Sequence, residues 1–497
     1  MDRSWRMSKP PYPYRFSIPI GMFAILLLGA WAFKGQATRD ARNARKAVQA
    51  AGIQIAATGQ AHTQRTASSS SQSAFESTRS ALMALSSDLP AAFNTVEPLR
   101  YTRPGVARAA WQSARHGNAA AEREVWRDLE RVVDERQPAL FNLRKTLAHA
   151  PVQRPGTVSA NPESDLQIAP RIRAAGWLCA SVHVQLARKQ TSEARRLLID
   201  LIQLNRFLSA ESSLANLQVS LALCDLTARA TWHVLQDRGQ DDGTLEPIQK
   251  GLDSIALSKE VVRALDGEIS RTVDFFELLR TGGQNGDDAL TTWIAESRPT
   301  RLGTAGMSPP SSWEAKVWLL AWRDADEAFF LQTLLRFRER LRSGATTESW
   351  AKKQPDLAAW DREVAYRMRG FPAESYWVSR VGLPGMESLA SRVATIETFR
   401  SLATAAVAVE RCRGFLKRAP KAVAELRPWL GTIPPVDFLG GSPVRFRFSD
   451  SDTRVYSVGF DGQDQGGDPS PSSHREGDYT PQLGRDWVWP LEDPSRG

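Results

Sequence analysis

Residues 387–416, ESLASRVATIETFRSLATAAVAVERCRGFL, decide how this chain is read. Leu389, Val393, Ile396, Phe399, Ala403, Ala406 and Val409 recur every three or four positions and form one apolar stripe on a long helix. The period then changes. Residues 444–448 (VRFRF) and 455–458 (VYSV) are short β-prone runs divided by an acidic turn at 450–452, and Trp487-Val488-Trp489 is a third such run. A long helix followed by short strands predicts a small α+β module over residues 386–497.

The loop between the second and third runs carries the most suggestive side chains. Asp461, Asp464 and Asp468 stand at spacings of three and four in DGQDQGGD, and Asp486 precedes the closing triplet. Carboxylates on a glycine-rich loop suit Ca²⁺, which accepts six to eight oxygen ligands. No Glu stands at the twelfth position, so the spacing is not that of an EF-hand. A polar loop without metal is the competing reading.

Taken in order, the helix at 387–416, Pro420, LRPWL at 426–430, PVDFLGGSPVRF at 435–446, VYSVGFDG at 455–462 and DWVW at 486–489 resemble the C-terminal half of the major pseudopilin of bacterial type II secretion systems. The resemblance covers about 110 residues. It implies a calcium-binding loop that holds a small β-sheet together, with Asp461 and Asp486 at the recurring acids and Asp464 and Asp468 in its variable part. The chain departs from the family where Phe438 follows Asp437 in place of Pro, and in the length of the loop from Asp468 to Arg485. It also lacks a prepilin-peptidase site, because Gly21-Met22 is followed by Leu26 where a pilin needs Glu. The chain therefore looks like a large envelope protein carrying a pseudopilin-type module, not a polymerising subunit.

Upstream the pattern is helical. In residues 171–385, Trp177, Leu178, Val182 and Leu186, then Leu197, Leu198, Leu201 and Leu204, mark two helices separated near 189–192. Residues 214–235 and 252–279 continue in that manner, 282–310 read as a Gly/Pro/Ser-rich break, 313–341 as one long helix, and 370–384 as looser chain. Residues 151–170 are a linker by their Pro, Gly and Ser content. Residues 34–150 form a helical stalk region whose serine-rich centre is weak.

The 497 residues carry 42% hydrophobic and 24% charged side chains, which excludes wholesale disorder, and three cysteines exclude a disulfide-built scaffold. The net charge of +9 invites a nucleic-acid reading, which its placement opposes. Residues 1–46 hold nine basic against two acidic side chains, while 431–497 hold six against eleven. The basic clusters flank residues 16–33, FSIPIGMFAILLLGAWAF, a run with no formal charge between Arg15 and Lys34. As a helix this run spans about 27 Å, close to the roughly 30 Å of a hydrocarbon core. It reads as a transmembrane anchor, as a signal peptide with its cut at Ala30-Trp31-Ala32, or as a buried helix of a soluble body, behind a basic tail at 1–15.

The fold class expected is thus mainly α: a single N-terminal transmembrane helix, a multi-helix ectodomain and the small C-terminal module. The expected setting is the bacterial inner membrane with the bulk of the chain on the periplasmic side. The membrane and other envelope proteins are the partners, nucleic acid is not one, and composition does not decide the oligomeric state.

Catalytic motifs are lacking: the six His are scattered, with no HExxH or Gly-x-Ser-x-Gly pattern. Cys179 and His183, four apart on a helix, read as core packing with no third ligand nearby in sequence. Cys224 and Cys412 read as small buried residues. Asp324, Asp326 and Glu327 read as a solvated helix face, and Trp313, Trp318 and Trp322 as core anchors. A scaffolding or binding role without catalysis is the expectation. The alternatives are an exported enzyme using Asp324, Asp326, Glu327 or His183 in a cleft of the helical domain, and an accessory component of a type II secretion-like system.

Overall fold

The computed structural model describes residues 20–53, 69–85, 119–149, 168–208, 213–236, 242–281, 286–297, 311–344, 350–369, 376–383, 385–431, 434–449, 453–468 and 486–489. Among these, helices dominate and the strands are few, short and antiparallel, all near the C-terminus.

The helix at the centre is α15, Met386–Leu416. Its apolar stripe is buried as the spacing predicts, but burial goes further: every residue from Ile396 to Val409 is out of solvent. The positions between the stripe residues are mostly Ala, Ser and Thr, small enough for neighbours to close over every face. Two charged residues in this stretch, Glu397 and Arg400, pair at 2.8 Å. Arg400 donates to the Leu252 carbonyl at 3.2 Å, at the end of α8 (Asp242–Ser254), and Glu397 accepts from the Ser258 amide at 3.3 Å, at the start of α9 (Leu257–Thr281). Anion at a helix start and cation at a helix end complement both dipoles.

Around α15 the chain packs as successive helical hairpins. The first well-formed one joins α5 (Ile168–Ala187) to α6 (Thr191–Leu208), separated where the sequence predicts. Lys189 takes φ 59° at the joint, the Gln190 amide reaches back to Gln185 O at 2.8 Å, and the Lys189 amide reaches Leu186 O at 3.0 Å. This is a Schellman closure with lysine where glycine is usual. α7 (Leu214–Leu235) packs on both helices and on α15, and α9 packs on α7 and α15. On the outer side, α2 (Ser69–Ala84), α3 (Ala119–Glu135) and α4 (Gln137–Leu147) lean on α5 and α6 and bury Leu129, Val133, Leu140, Leu143 and Leu147.

Three segments differ from the sequence expectation. The break at 282–310 contains α10 (Gly286–Ser297), because Leu290 and Ile294 bury one face while Trp293 stacks on Phe275 at 5.0 Å. The long helix at 313–341 is two helices, α11 (Ser312–Ala321) and α12 (Arg323–Gly344), interrupted at Trp322. The N-terminus of α11 is capped by Glu314, which accepts from the Ser311 amide at 2.8 Å. After α13 (Trp350–Arg369), the looser chain holds a short helix, α14 (Trp377–Gly382).

At the N-terminus, α1 runs from Ile20 to Ala50 without pausing at Lys34, so the apolar run from Ile20 onward and the start of the stalk region are one helix. Ala37, Ala41, Ala44 and Val48 are buried at spacings of three and four, where α1 packs along α12. Among the described residues no helix is long and apolar enough to cross a membrane. Residues 16–19, and the side chains of 20–29 that make up most of the apolar run, lie outside the described residues. Most of the linker, at 151–167, and the acidic turn at 450–452 lie outside them as well.

The C-terminal strands follow α16 (Val423–Leu430). β1 (Val436–Asp437) pairs with β2 (Ser442–Pro443), and β3 (Arg445–Phe448), β4 (Thr453–Ser457) and β5 (Trp487–Trp489) form a separate sheet in that order, all antiparallel. α15 touches β1, β4 and β5 on one part of its surface and the helices α7–α9 on another. Trp487 tilts against Phe399 of α15 at 4.9 Å, joining the sheet to the central helix.

Candidate functional site

Two places gather ionisable groups: the seam where α1 meets the body, largely out of water, and the C-terminal loop, where Asp486 is buried while Asp461 and Asp464 are exposed. The seam contains all three acids of α12 singled out in the sequence. Their solvated-face reading is overturned, because Asp324 is nearly buried and Asp326 and Glu327 are fully so. Periodicity shows which residues share a face; it does not show that α1 covers this one.

The seam is a network of ion pairs. Arg45 of α1 donates Nε to Glu327 Oε1 at 2.5 Å and a terminal nitrogen to Glu277 Oε2 at 2.7 Å. Arg280 of α9 also pairs with Glu327 and reaches Asp324 at 3.0 Å. Arg323 meets the same Asp324 oxygen at 3.0 Å, and Thr38 of α1 donates to the other at 2.8 Å. Burial pushes the Glu327 carboxyl up to about 7, opposed by the Arg45 charge. Three arginines facing three carboxylates leave the network close to neutral, which is the condition for keeping such charges out of water.

Asp326 points away from the arginines. Its Oδ2 accepts from the Val378 amide at 2.8 Å, and its Oδ1 accepts from the Ser379 amide at 3.1 Å and the Ser379 hydroxyl at 2.5 Å. It thereby caps the first turn of α14. Burial pushes its carboxyl up to about 7, opposed by these hydrogen bonds and one from Trp318.

Trp318 is buried, as a core anchor should be. Trp322 is half-buried and meets Phe33 of α1 edge to face at 4.9 Å. Trp313 departs from the core reading, with 67% of its surface exposed.

Cys179 and His183 are both buried, with Sγ and Nε2 3.6 Å apart, and His183 packs edge to face on His233 at 4.2 Å. His233 comes from α7, fifty positions away in sequence, so spacing could not reveal it. Among the described residues, no three His, Cys, Asp or Glu side chains are placed to hold a metal ion. Cys224 and Cys412 are buried and free, and burial pushes the Cys224 thiol well up.

The C-terminal loop distributes its acids among different partners. Asp461 closes its own turn, accepting from the Gln463 amide at 2.9 Å and the Gln465 side chain at 2.8 Å. Asp464 pairs with Arg445, and it accepts from the Gly466 amide at 2.9 Å and the Tyr456 hydroxyl at 3.1 Å. These amide and arginine contacts hold its carboxyl below the usual range. Asp468 meets Asp486 through the backbone, where the Asp486 amide donates to Asp468 O at 3.0 Å. Asp486 is fully buried: its Oδ2 accepts from the Gly467 amide at 2.6 Å and from the Asp468 amide at 3.3 Å, while its Oδ1 is buried with no hydrogen-bond partner. Gly466 and Gly467 both take positive φ, which turns those amides inward.

A further acid organises the module and was not singled out in the sequence. Asp437, at the end of β1, is buried; its Oδ1 accepts from the Leu439 amide at 3.0 Å and its Oδ2 from the Val458 amide at 3.1 Å. Thr398 of α15 lies 3.5 Å from Oδ1. This one side chain joins the β1–β2 turn, the end of β4 and the central helix. Its signal was an Asp two residues before the amide it caps, ahead of a Gly-Gly turn.

A calcium ion at this loop can be weighed residue by residue. Asp486 Oδ1 fits, since a buried carboxylate oxygen without a donor is what a cation satisfies. Asp464, neutralised by Arg445, fits poorly. Asp461 has both oxygens engaged within its own turn.

No known protein family, no curated protein and no solved structure matches the chain.

Proposed function

We propose that this chain is a membrane-anchored bacterial envelope protein with a scaffolding or binding role, its body on the periplasmic side. One observation carries the reading: the helix that begins in the apolar run continues unbroken into the body and is held there by Arg45, Thr38 and a stripe of buried alanines. An anchor joined in this way holds the body at a set height above the membrane, as a scaffold requires. The acids named for an exported enzyme, Asp324, Asp326 and Glu327, are engaged in pairing and capping, which favours scaffold over catalyst. Alkaline extraction of membranes tests the anchor. The full chain stays with the lipid and its N-terminal sequence begins ahead of Phe33, whereas release into the soluble fraction, or a mature N-terminus at Phe33, defeats the reading. Protease added to spheroplasts digests the body if it faces the periplasm.

The C-terminal loop would hold calcium through Asp486, with Asp461 released from its turn to join it. The bound ion would supply the partner that Asp486 Oδ1 lacks and tie β5 to the loop. Titrating the full chain with calcium tests this. A rise in melting temperature that Asp486→Asn abolishes is expected, and an unchanged melting curve would refute it.

A further inference from the structure

The apolar side chains left in water are not scattered evenly. α11 is ten residues long, and Trp313, Val317 and Leu320 stand on it at spacings of four and three, exposed by 67%, 47% and 68%. They form a single outward face; the opposite face, Ala315 and Trp318, is buried. Single exposed apolar residues are ordinary, whereas a continuous helical face of this kind marks a surface that something covers.

The position of α11 suggests what does. Trp322, which ends α11, sits against Phe33 of α1 at 4.9 Å. Phe33 closes the apolar run, and Trp31 beside it is 76% exposed. α12 packs along α1, and the interruption at Trp322 sets α11 off from α12 at the level where α1 leaves the run. Immediately beyond, Lys34, Arg39 and Arg42 are exposed on α1. Aromatic side chains at the end of an apolar helix, with cations spread over the next two to three turns, match the order of acyl boundary and anionic headgroups.

We propose that α11 is an interfacial helix, lying on the membrane surface beside the point where α1 emerges, with Trp313, Val317 and Leu320 in the boundary between headgroups and acyl chains. The proposal rests on α1 being an anchor. It adds a second contact with the same lipid surface. An anchor alone leaves the body free to swing; two contacts, joined through Phe33 and Trp322, fix its tilt. The length suits the role, since a ten-residue helix is about 15 Å long and too short to span. A second copy of the chain would cover an apolar face equally well, but would not account for the exposed Trp31 and the cations on the neighbouring helix.

The test uses the full chain reconstituted in phosphatidylcholine–phosphatidylglycerol vesicles. The three native cysteines are buried, so an environment-sensitive fluorophore can be placed at Val317→Cys or Leu320→Cys, with Tyr366→Cys and Phe415→Cys as exposed controls elsewhere. Flotation of the labelled chain reports the anchor independently. In chains that float, nitroxide lipids labelled near the headgroup should quench the probes at 317 and 320 about threefold more than those at 366 and 415. Equal quenching at all four sites in chains that float overturns the α11 proposal and leaves the anchor standing. Crosslinking between copies through Leu320→Cys without lipid quenching overturns it in favour of a second copy. Failure to float removes the anchor and the proposal with it.

Discussion

Arg45 of α1 and Glu327 of α12 are 282 positions apart in sequence and 2.5 Å apart in space. Around that contact Arg280, Arg323, Glu277, Asp324 and Thr38 complete a network that binds the first helix to the body. A surface ion pair would contribute little, but Glu327 is fully buried, so removing a partner exposes the cost of its desolvation.

Arg45→Ala should therefore loosen α1 specifically. Arg280 remains beside Glu327, so the loss should be about 1–3 kcal/mol, below that of a fully stranded buried charge. Hydrogen exchange should show faster amide exchange over residues 34–53 while α7 and α15 stay protected. Arg45→Met combined with Glu327→Leu, which removes both charges, should recover most of the loss.

Asp326 predicts a pH dependence. Its carboxyl is raised from 3.8 to about 7 in the folded chain, so between those values the folded state holds a proton that the unfolded state has released. The stability this contributes is present at low pH and falls as pH rises through about 4 to 7, by less than about 4 kcal/mol. Asp326→Asn cannot titrate. Denaturant midpoints from pH 4.5 to 8 should show the native chain losing stability relative to this variant as pH rises; parallel curves would refute the assignment. At every pH the variant should also carry a constant penalty, because an amide nitrogen replaces one acceptor facing the α14 amides.

Asp437→Ala should cost about 1–3 kcal/mol, since it leaves the buried Val458 amide without its acceptor and the Leu439 amide with only the Thr398 hydroxyl at 3.3 Å. Gly440→Ala tests the same point sterically. A Cβ there would lie 2.5 Å from Val458 Cγ2 and 2.7 Å from Asp437 Oδ2, so the turn must shift. Both variants should weaken the near-ultraviolet circular dichroism of the Trp487 and Trp489 environment before the far-ultraviolet helix signal changes.

Lys189→Gly should stabilise the chain. Lys189 holds φ 59° in the closure between α5 and α6, a conformation that glycine adopts without strain. The expected gain is about 0.5–1 kcal/mol, read as a raised melting temperature.

The residues that were legible in sequence and those that were not differ in kind. The stripe of α15, the α5–α6 hairpin and the three strand runs of the C-terminal sheet follow from local period, and each appears near its expected place. The break at 282–310 concealed α10, because Gly and Pro at its ends masked the short 3–4 pattern of Leu290 and Ile294. The C-terminal acids were recognisable as a group, yet their partners were not: Arg445 for Asp464 and the Gly467 amide for Asp486 come from strand pairing and positive-φ turns.

By itself the sequence determined that the chain is mainly helical, that its last strands are short, and that one long apolar run lies near its start, because side-chain period and charge placement are local properties. Tertiary structure alone decided that Asp324, Asp326 and Glu327 are buried, that α15 is enclosed on every face from Ile396 to Val409, and that Trp313 stands outside. The physical reason is common to all three. A helix shows which of its residues share a face, but the energy of burying that face depends on the neighbour that covers it, and that neighbour lies from about fifty positions away, Val378 at Asp326, to 282 away, Arg45 at Glu327.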